Sequence, residues 1–478
     1  MAKIKIEYFL VCLILIVSLA LRLYHIDGYM NFLGDEGRDV RIVRDLLHGN
    51  LVFIGPQTSV GNMYLGPLYY YLIAPALFLS GLNPVGPAIM IAIIGTITVA
   101  LVWYVGKSWF GSSTGLIAAM LYALSPVTVI YSRSSWNPNP MPLFALICVF
   151  SIYQVWQKQK YAYLLITATS FAFVLQMHYL GLLLAPVLIT FWLLSFRKNC
   201  RFILYTLYSI LIFLLLMSPL VLFDLRHDLL NFNAFKTFFL ERQTTVNLNP
   251  ANSNRFLPTL YQITQDLIMA RQSLFLPLLS LLSIAASIWL FFVTKAKQHR
   301  PYILLMVWLS FAILGLSVYK QHVYAHYFGF IFPAVYLLIG LLISKLPRPL
   351  AVAFLGLLIF LDIYYSPLKE KPNYQLQRTE AITNTIIKQS DNQPFNFGLI
   401  AKQNYDESYR YFFENQKAPL IRGESGISNQ LFVVCEDGDN CQPLGNPAYQ
   451  VAIFGPAKIV NQWQIDGVKI YQLQHTQI

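Results

Sequence analysis

The feature that most constrains this chain is a series of uncharged apolar stretches, each about as long as a bilayer is thick. The clearest stretches run over residues 108–132, 134–157, 202–223, 272–294, 301–319 and 321–344. About 20 mostly apolar residues suffice for a transmembrane helix. Only 12% of the 478 residues are charged, about half the share in an ordinary soluble domain. The sequence therefore predicts a polytopic α-helical membrane protein and excludes a soluble enzyme, a disordered chain and a disulfide scaffold.

The other predicted spans are less clearly bounded by charged residues. Residues 6–23 form a first span that no small-residue cleavage site follows, and residues 350–365 form a short last one. The stretch 161–196 is too long for one helix and divides into two at a central polar turn. Residues 84–106 are long enough to cross, whereas residues 68–80 suit an interfacial or re-entrant helix. We therefore predict about eleven transmembrane helices.

The distribution of charge supports this count and orients the chain. With a cytosolic N-terminus, the cytosolic side receives one acidic residue, Glu7, and a larger set of basic residues. These are Lys3, Lys5, Lys107, Lys158, Lys160, Arg197, Lys198, Arg201, Lys295, Lys297, Arg300, Lys345 and Arg348. Their excess equals the formal net charge of +12, as the positive-inside rule requires. The basic charge thus orients a membrane protein and indicates no nucleic-acid partner. A crossing at residues 68–80 would invert the pattern.

Three regions are predicted on the extracytoplasmic side, over residues 24–83, 224–271 and 366–478. The last region has no membrane-length apolar run. We predict a small α/β domain there, with a transmembrane domain over residues 1–365. In the predicted α/β domain, helical patterns cover residues 374–389 and 405–416. Strand-like runs cover residues 395–401, 431–435, 451–454 and 468–473. Cys435 and Cys441 fit either a disulfide or two free thiols.

The first extracytoplasmic region carries an acidic pair, Asp35 and Glu36. The residues that follow, 40–47, predict a short amphipathic helix that lies on the membrane surface. The pair would then sit at the N-terminal end of this helix, where the dipole favours ionised carboxylates by about 0.3–1 kcal/mol. Such carboxylates can accept a proton, orient a hydroxyl or hold a cation. The alternative interpretation is simple helix capping.

Cationic and polar residues are predicted at the same membrane face as the acidic pair. They are Arg133, Asn137, Asn139, His178, Arg226, His227, Lys320, His322 and His326. Taken singly, each fits a side chain that contacts lipid headgroups. Taken together, they suit an anionic phosphate beside a reacting hydroxyl. The chain contains no phosphate-binding glycine loop, zinc-binding His-Glu-x-x-His motif or nucleophile elbow.

Five short motifs occur along the chain in an order that is typical of one enzyme family. They are Asp35-Glu36-Gly37-Arg38, Pro67-Leu68-Tyr69-Tyr70, Leu124-Ser125-Pro126, Tyr131-Ser132-Arg133 and His326-Tyr327-Phe328. In this order, residues 1–365 resemble the GT-C glycosyltransferases of family 39 type. That group includes protein O-mannosyltransferases and bacterial aminoarabinose transferases. The resemblance implies a GT-C fold and transfer of a sugar from a polyprenyl-phosphate carrier.

The resemblance also implies roles for single residues. The first-loop aspartate of such enzymes is the catalytic carboxylate, which corresponds to Asp35 here. Many relatives have Lys-Pro-Pro-Leu where this chain has Leu65-Gly66-Pro67-Leu68, so another cation must serve the donor phosphate. Many relatives also have an aspartate where this chain has only Asn137 and Asn139 nearby. The absence of a second carboxylate places more of the chemistry on Asp35 and Glu36.

The sequence thus predicts a mannosyltransferase-like enzyme in the plasma (inner) membrane, with its C-terminal domain outside. The acceptor would be a lipid, a glycan or a protein. Membrane lipid is a further predicted partner. Asp35 and Glu36 are the predicted catalytic residues. The predicted substrate-binding residues are Arg38, Arg133, Asn137, His178, Lys320, His326 and Tyr327.

No cofactor is predicted. A divalent metal, Mg or Mn, is compatible with the chemistry, but cations alone can hold a monophosphate leaving group. Two alternatives stay open at this point. One is a lipid-linked glycan transporter, and the other is a membrane glycan polymerase or ligase that uses a pyrophosphate carrier.

Overall fold

The computed structural model describes residues 2–58, 63–196, 198–237, 255–272, 275–319, 323–422, 425–436, 438 and 441–476. By compactness, the chain forms two units. The helical unit comprises Met1–Tyr24, Leu51–Ala76 and Pro87–Lys371, and the tail unit comprises His25–Asn50, Leu77–Gly86 and Pro372–Ile478. The domain boundaries inferred from the sequence, at residues 365 and 366, stay a prediction.

Helices account for most of the described residues up to Tyr364. The α-helices are α1 (Ala2–Leu23), α2 (Ile26–Tyr29), α3 (Gly34–Leu47), α4 (Leu68–Leu79), α5 (Val85–Phe110), α6 (Ser112–Leu124), α7 (Pro126–Ile130), α8 (Met141–Lys158), α9 (Tyr163–Met177), α10 (Ala185–Ser195), α11 (Cys200–Arg226), α12 (Leu230–Lys236), α13 (Phe256–Leu267), α14 (Leu276–Val293), α15 (Ala296–Ser317), α16 (Phe332–Lys345) and α17 (Arg348–Tyr364). Short 3₁₀-helices cover Tyr179–Leu184 and Ala325–Ile331.

The C-terminal part of the chain mixes helices and strands. After a 3₁₀-helix at Pro367–Lys369, it contains α18 (Gln375–Gln389), β1 (Asn396–Ile400), α19 (Glu407–Asn415), β2 (Gln430–Cys435), α20 (Tyr449–Phe454), β3 (Ala457–Ile465) and β4 (Val468–His475). The α/β class predicted for this region is therefore confirmed.

The chain is an integral membrane protein of the predicted helical class. Seven helical segments of the described part are long and apolar enough to cross a membrane. The other predicted spans coincide with α8 and with shorter apolar helices at Ser112–Leu124, Tyr163–Met177 and Tyr179–Ser195. The segment predicted to be interfacial, α4, is a helix of 12 residues. That the shorter helices cross, and that α4 does not, stays a prediction.

A buried arginine links α1 to the interruption between the helices α6 and α7. Pro126 cannot continue α6, because it lacks an N–H, and α7 starts anew at this residue. Arg22 of α1 is fully buried beside this break. Its guanidinium donates to Ser18 Oγ at 2.8 Å, to the Ala123 carbonyl oxygen at 3.1 Å and to Ser132 Oγ at 3.1 Å. Neutral oxygens of three segments thus solvate one buried cation.

The tail unit contains one four-stranded sheet in the order β1-β2-β4-β3. Strand β1 pairs with β2 in parallel, and the other two pairings are antiparallel. Because side chains alternate along a strand, β2 buries Phe432 and Val434 in one core cluster and Leu431 and Val433 in another. The first cluster includes residues of α18 and α19, and the second includes residues of α20. Cys435 and Cys441 form a disulfide bond.

One prediction for the tail was wrong, and one strand was not predicted. The apolar run at residues 451–454 is part of the helix α20, which ends at Gly455 with a φ of +84°. Such short runs fit a strand and a helix turn equally well. The strand β3 was missed because it alternates poorly and lies at the sheet edge. It joins β4 through Asp466 and Gly467, whose positive φ angles suit a tight hairpin turn.

The amphipathic helix predicted after the acidic pair packs against other parts of the protein, and its position on the membrane surface stays a prediction. Its apolar residues Val40 and Val43 are buried within the protein, and the helix, α3, packs against α19. Its charged face is paired as well. Arg41 lies 2.6 Å from Glu407, and Arg44 lies 2.8 Å from Glu414. The sequence pattern identified an amphipathic helix correctly, and protein covers the apolar residues Val40 and Val43.

Candidate functional site

Glu36 of the acidic pair closes the N-terminus of α3. Its carboxylate accepts a hydrogen bond of 3.1 Å from the Leu33 N–H, which is the return half of a capping box. The side chain is buried, and only 6% of the residue is exposed. Burial, and secondly the negative charge of Asp35, raise the pKa of Glu36 to about 7. Near neutral pH this carboxyl group is therefore about half protonated.

Asp35, by contrast, has an accessible carboxylate. Its side chain is 40% exposed. The Oδ1 atom accepts a hydrogen bond of 2.9 Å from Arg38 Nη1 and one of 2.6 Å from the Tyr405 hydroxyl. Burial raises the pKa of Tyr405 far above its ordinary value, so the hydroxyl stays protonated and remains a donor. An ionised carboxylate that is both held in place and accessible can accept a proton from an incoming hydroxyl.

Arg38 lies between two carboxylates. Besides Asp35, it contacts Asp39, whose Oδ1 accepts from Arg38 Nη2 at 2.7 Å and from Nε at 3.0 Å. Asp39 is fully buried, and a buried carboxylate requires such a partner. The predicted substrate-binding cation is therefore engaged by the acidic residues of its own helix.

Arg133 and Asn137 belong to the helical unit, where both bind backbone. The Arg133 guanidinium donates to the carbonyl oxygens of Leu21 and Tyr24. These groups lie at the C-terminal end of α1, where a cation is favoured. The Asn137 amide donates to the Met177 carbonyl oxygen at 2.6 Å. Substrate binding by either residue stays a prediction.

His178, His326 and Tyr327 come together in the helical unit. The His178 ring centroid lies 4.6 Å from that of Tyr327 and 6.0 Å from that of His326. His326 also contacts Trp136, with 4.3 Å between the ring centroids. Burial, together with the nearby His326, lowers the pKa of His178 to about 3. His178 is therefore neutral at physiological pH and can bind a substrate through hydrogen bonds and ring contacts only.

Lys320, the remaining predicted residue, lies outside the described residues, as does His322. Among the residues that are described, no group of three or more His, Cys, Asp or Glu side chains could hold a metal ion. The structure therefore places Asp35, Glu36 and Arg38 together in the tail unit, and His178, His326 and Tyr327 together in the helical unit.

Sequence reasoning missed Tyr405 and its neighbour Asn404. Asn404 Oδ1 accepts hydrogen bonds from the Gly34 N–H at 2.8 Å and from the Tyr405 N–H at 2.9 Å. Residue 405 was recognised only as the start of a helical pattern. The two glycines of the Gly34-Asp35-Glu36-Gly37 motif were a usable signal, because glycine allows another segment to approach a helix closely.

Comparison with known proteins agrees with the predicted resemblance. Residues 65–223 match the family model described as dolichyl-phosphate-mannose-protein mannosyltransferase. By sequence, no curated relative matches the chain.

Similarity to solved structures extends over nearly the whole chain. ArnT from Cupriavidus metallidurans bound to undecaprenyl phosphate is 12% identical, with a TM-score of 0.63 over 98% of this chain and 98% of that one. Its apo state gives a TM-score of 0.64 at 12% identity, over 99% of this chain and 98% of that one. The oligosaccharyltransferase AglB from Archaeoglobus fulgidus, in complex with an inhibitory peptide and a dolichol-phosphate, gives 0.53 at 12% identity, over 91% of this chain and 69% of that one. The chain thus has the predicted GT-C fold.

Proposed function

We propose that the protein is a glycosyltransferase that moves a sugar from a polyprenyl-phosphate-linked donor to an acceptor hydroxyl. The observation that carries the proposal is the accessible Asp35 carboxylate, which Arg38 and Tyr405 hold at the N-terminus of α3. Two comparisons support the choice of donor. One is the match to the mannosyltransferase family model, and the other is the fold shared with an ArnT structure that binds undecaprenyl phosphate.

The proposed reaction is a single displacement at the anomeric carbon of the sugar. The acceptor oxygen forms a bond to this carbon as its proton passes to the Asp35 carboxylate. The bond from the carbon to the phosphate oxygen breaks, and the polyprenyl phosphate leaves with the electron pair. Proton transfer to a positioned base contributes about 10²–10⁴-fold to the rate. Glu36, half protonated and hydrogen-bonded to backbone, would assist by closing the helix that carries Asp35.

Several finer features are part of the same proposal. The reaction is assigned to the extracytoplasmic face of the plasma membrane, with a lipid, a glycan or a protein as acceptor. Donor contacts are assigned to Arg133, Asn137, His178, His326 and Tyr327, with Lys320 as a further cation. No metal cofactor is proposed, because cations and hydrogen bonds can hold a monophosphate leaving group.

Asp35→Asn tests this function, because it keeps the size of the side chain and removes the proton-accepting charge. Membranes of a deletion strain supply unused donor and acceptor, and mass spectrometry measures the product that purified enzyme forms from them. We expect turnover to fall by about 10²–10⁴-fold, with the thermal shift on adding undecaprenyl phosphate unchanged.

Asp45→Asn is the matched control for this test. Asp45 lies on the same helix, and its side chain is 43% exposed in an ion pair with Arg44. We expect this variant to keep normal turnover. A folded Asp35→Asn protein with near-normal transfer would refute the assignment of Asp35 as the base. A lipid-linked glycan transporter needs no base. If neither wild type nor Asp35→Asn forms product while both still transport the lipid-linked glycan, the transporter alternative is favoured.

A further inference from the structure

The segment of the tail unit from Asn404 to Ser408 is built onto the acidic motif through two glycines. A Cβ atom at Gly34 would lie 2.5 Å from the Tyr405 ring, and one at Gly37 would lie 2.3 Å from the Ser408 backbone nitrogen. Real Cβ atoms do not approach other atoms so closely. The missing side chains at these two positions, one helical turn apart, therefore make room for Tyr405 and for the start of α19.

Hydrogen bonds fix the same segment. Arg38 Nη1 donates to the Tyr405 hydroxyl at 3.1 Å, so Arg38, Tyr405 and Asp35 form a closed triangle. The Asn404 amide donates to Glu436 Oε2 at 2.9 Å, and Glu436 Oε1 accepts from the Tyr409 hydroxyl at 2.5 Å. Because Glu436 directly follows β2, the sheet of the tail unit supports the loop that carries Tyr405.

Both donors in the triangle bind the same oxygen of Asp35. Within the described residues of the tail unit, Oδ2 of this carboxylate accepts no hydrogen bond. Two donors on one oxygen fix the plane of a carboxylate and leave the lone pairs of the other oxygen available. A base held in this way is already oriented before its substrate arrives, which lowers the barrier to proton transfer.

We propose that Tyr405 is a positioning residue of the transfer reaction. Its hydroxyl, together with Arg38, holds Asp35 through Oδ1, so that Oδ2 takes the proton of the acceptor hydroxyl. This inference rests on the proposed function, since it gives Tyr405 a role only if Asp35 acts as the base. It also assigns the tail unit a direct part in turnover.

Tyr405→Phe in the full-length protein tests the proposal, because it keeps the ring against Gly34 and removes only the hydroxyl. With deletion-strain membranes as substrate source, we expect the maximal rate to fall by up to about 100-fold, the scale of a misplaced catalytic group. Three quantities should stay unchanged. They are the amount of membrane that gives half-maximal rate, the melting temperature, and the thermal shift on adding undecaprenyl phosphate. Tyr449→Phe, at an exposed tail tyrosine, should behave as wild type.

The double variant Asp35→Asn/Tyr405→Phe separates positioning from a merely structural role. If Tyr405 acts through Asp35, the double variant should be no slower than Asp35→Asn alone. Normal turnover of Tyr405→Phe, a further loss in the double variant, or a lower melting temperature of Tyr405→Phe would each overturn the proposal. Near-normal turnover of Asp35→Asn would instead refute the proposed function itself, so the two failures are distinguishable.

Discussion

At the scale of single residues, two adjacent carboxyl groups occupy opposite environments. Asp35 is accessible and accepts from two side-chain donors, whereas Glu36 is buried and accepts from a backbone N–H. The pKa of Glu36, raised to about 7 by burial and by the charge of Asp35, places a proton next to the proposed base. A partly neutral Glu36 repels the Asp35 charge less than a fully ionised one would. The two adjacent groups therefore differ in environment: Glu36 caps the helix from within the protein, and Asp35 is accessible from outside.

The raised pKa of Glu36 predicts a pH dependence of stability. Because the folded-state value of about 7 exceeds the ordinary 4.5, folding favours the protonated form. This stabilisation is complete below about pH 4.5 and is lost as the pH rises through 7. Glu36→Gln keeps an oxygen for the Leu33 N–H and carries no charge. We expect its melting temperature, relative to wild type, to increase between pH 4.5 and pH 8.

Glu380→Gln is the control for this pH series, since Glu380 lies exposed on α18. Its melting temperature relative to wild type should not depend on pH in the same way. A difference for Glu36→Gln that stays constant from pH 4.5 to pH 8 would show that Glu36 does not titrate in this range.

At the scale of secondary-structure elements, the contact between α3 and α19 holds the acidic motif in place. Gly37→Ala would force a Cβ atom to within 2.3 Å of the Ser408 backbone, and backbone cannot move aside as a flexible side chain does. We expect a loss of about 1–3 kcal/mol in the free energy of unfolding of the tail unit, together with reduced turnover. Denaturant unfolding, followed by the exposure of tail residues to proteolysis, measures the effect.

Gly356→Ala is a matched control, because Gly356 lies in the helix α17 and a Cβ atom there would meet nothing within 4 Å. Alanine favours a helix over glycine by about 1 kcal/mol, so this variant should be as stable as wild type or more stable. Equal stability of Gly37→Ala and wild type would show that α19 can shift away from α3 at little cost.

The sequence predicted most elements but not their partners. Apolar runs bounded by charges identified the long apolar helices, and local patterns identified α18, α19 and three strands. The edge strand β3 and the helix α20 escaped because short or poorly alternating segments carry too little periodicity. Tyr405 and Asp35 are 370 residues apart, and no local pattern links residues at that distance. The backbone partners of Arg133 and the burial of His178 were not predicted for a similar reason, since both are properties of the packed chain.

At the scale of the whole molecule, charge asymmetry predicts which side of the membrane each loop faces. Lys198 lies in a predicted cytosolic loop, and Tyr449 lies in the predicted extracytoplasmic tail; both are exposed. In a protein whose free cysteines Cys12, Cys148 and Cys200 are replaced by serine, we expect Tyr449→Cys to react with a membrane-impermeant maleimide on intact cells. Lys198→Cys should react only after the cells are opened. Labelling of Lys198→Cys on intact cells would overturn the eleven-span topology.

The buried guanidinium of Arg22 has a consequence for the synthesis of the chain. Its partner Ser18 lies four residues earlier, whereas Ala123 and Ser132 follow 101 and 110 residues later. Ribosomes add about 5–20 residues per second, so α1 waits on the order of 5 to 20 s before these oxygens emerge. During this interval the cation must stay close to water or lipid phosphate. The buried hydrogen bonds of Arg22 can therefore be completed only after the break between α6 and α7 has been synthesised.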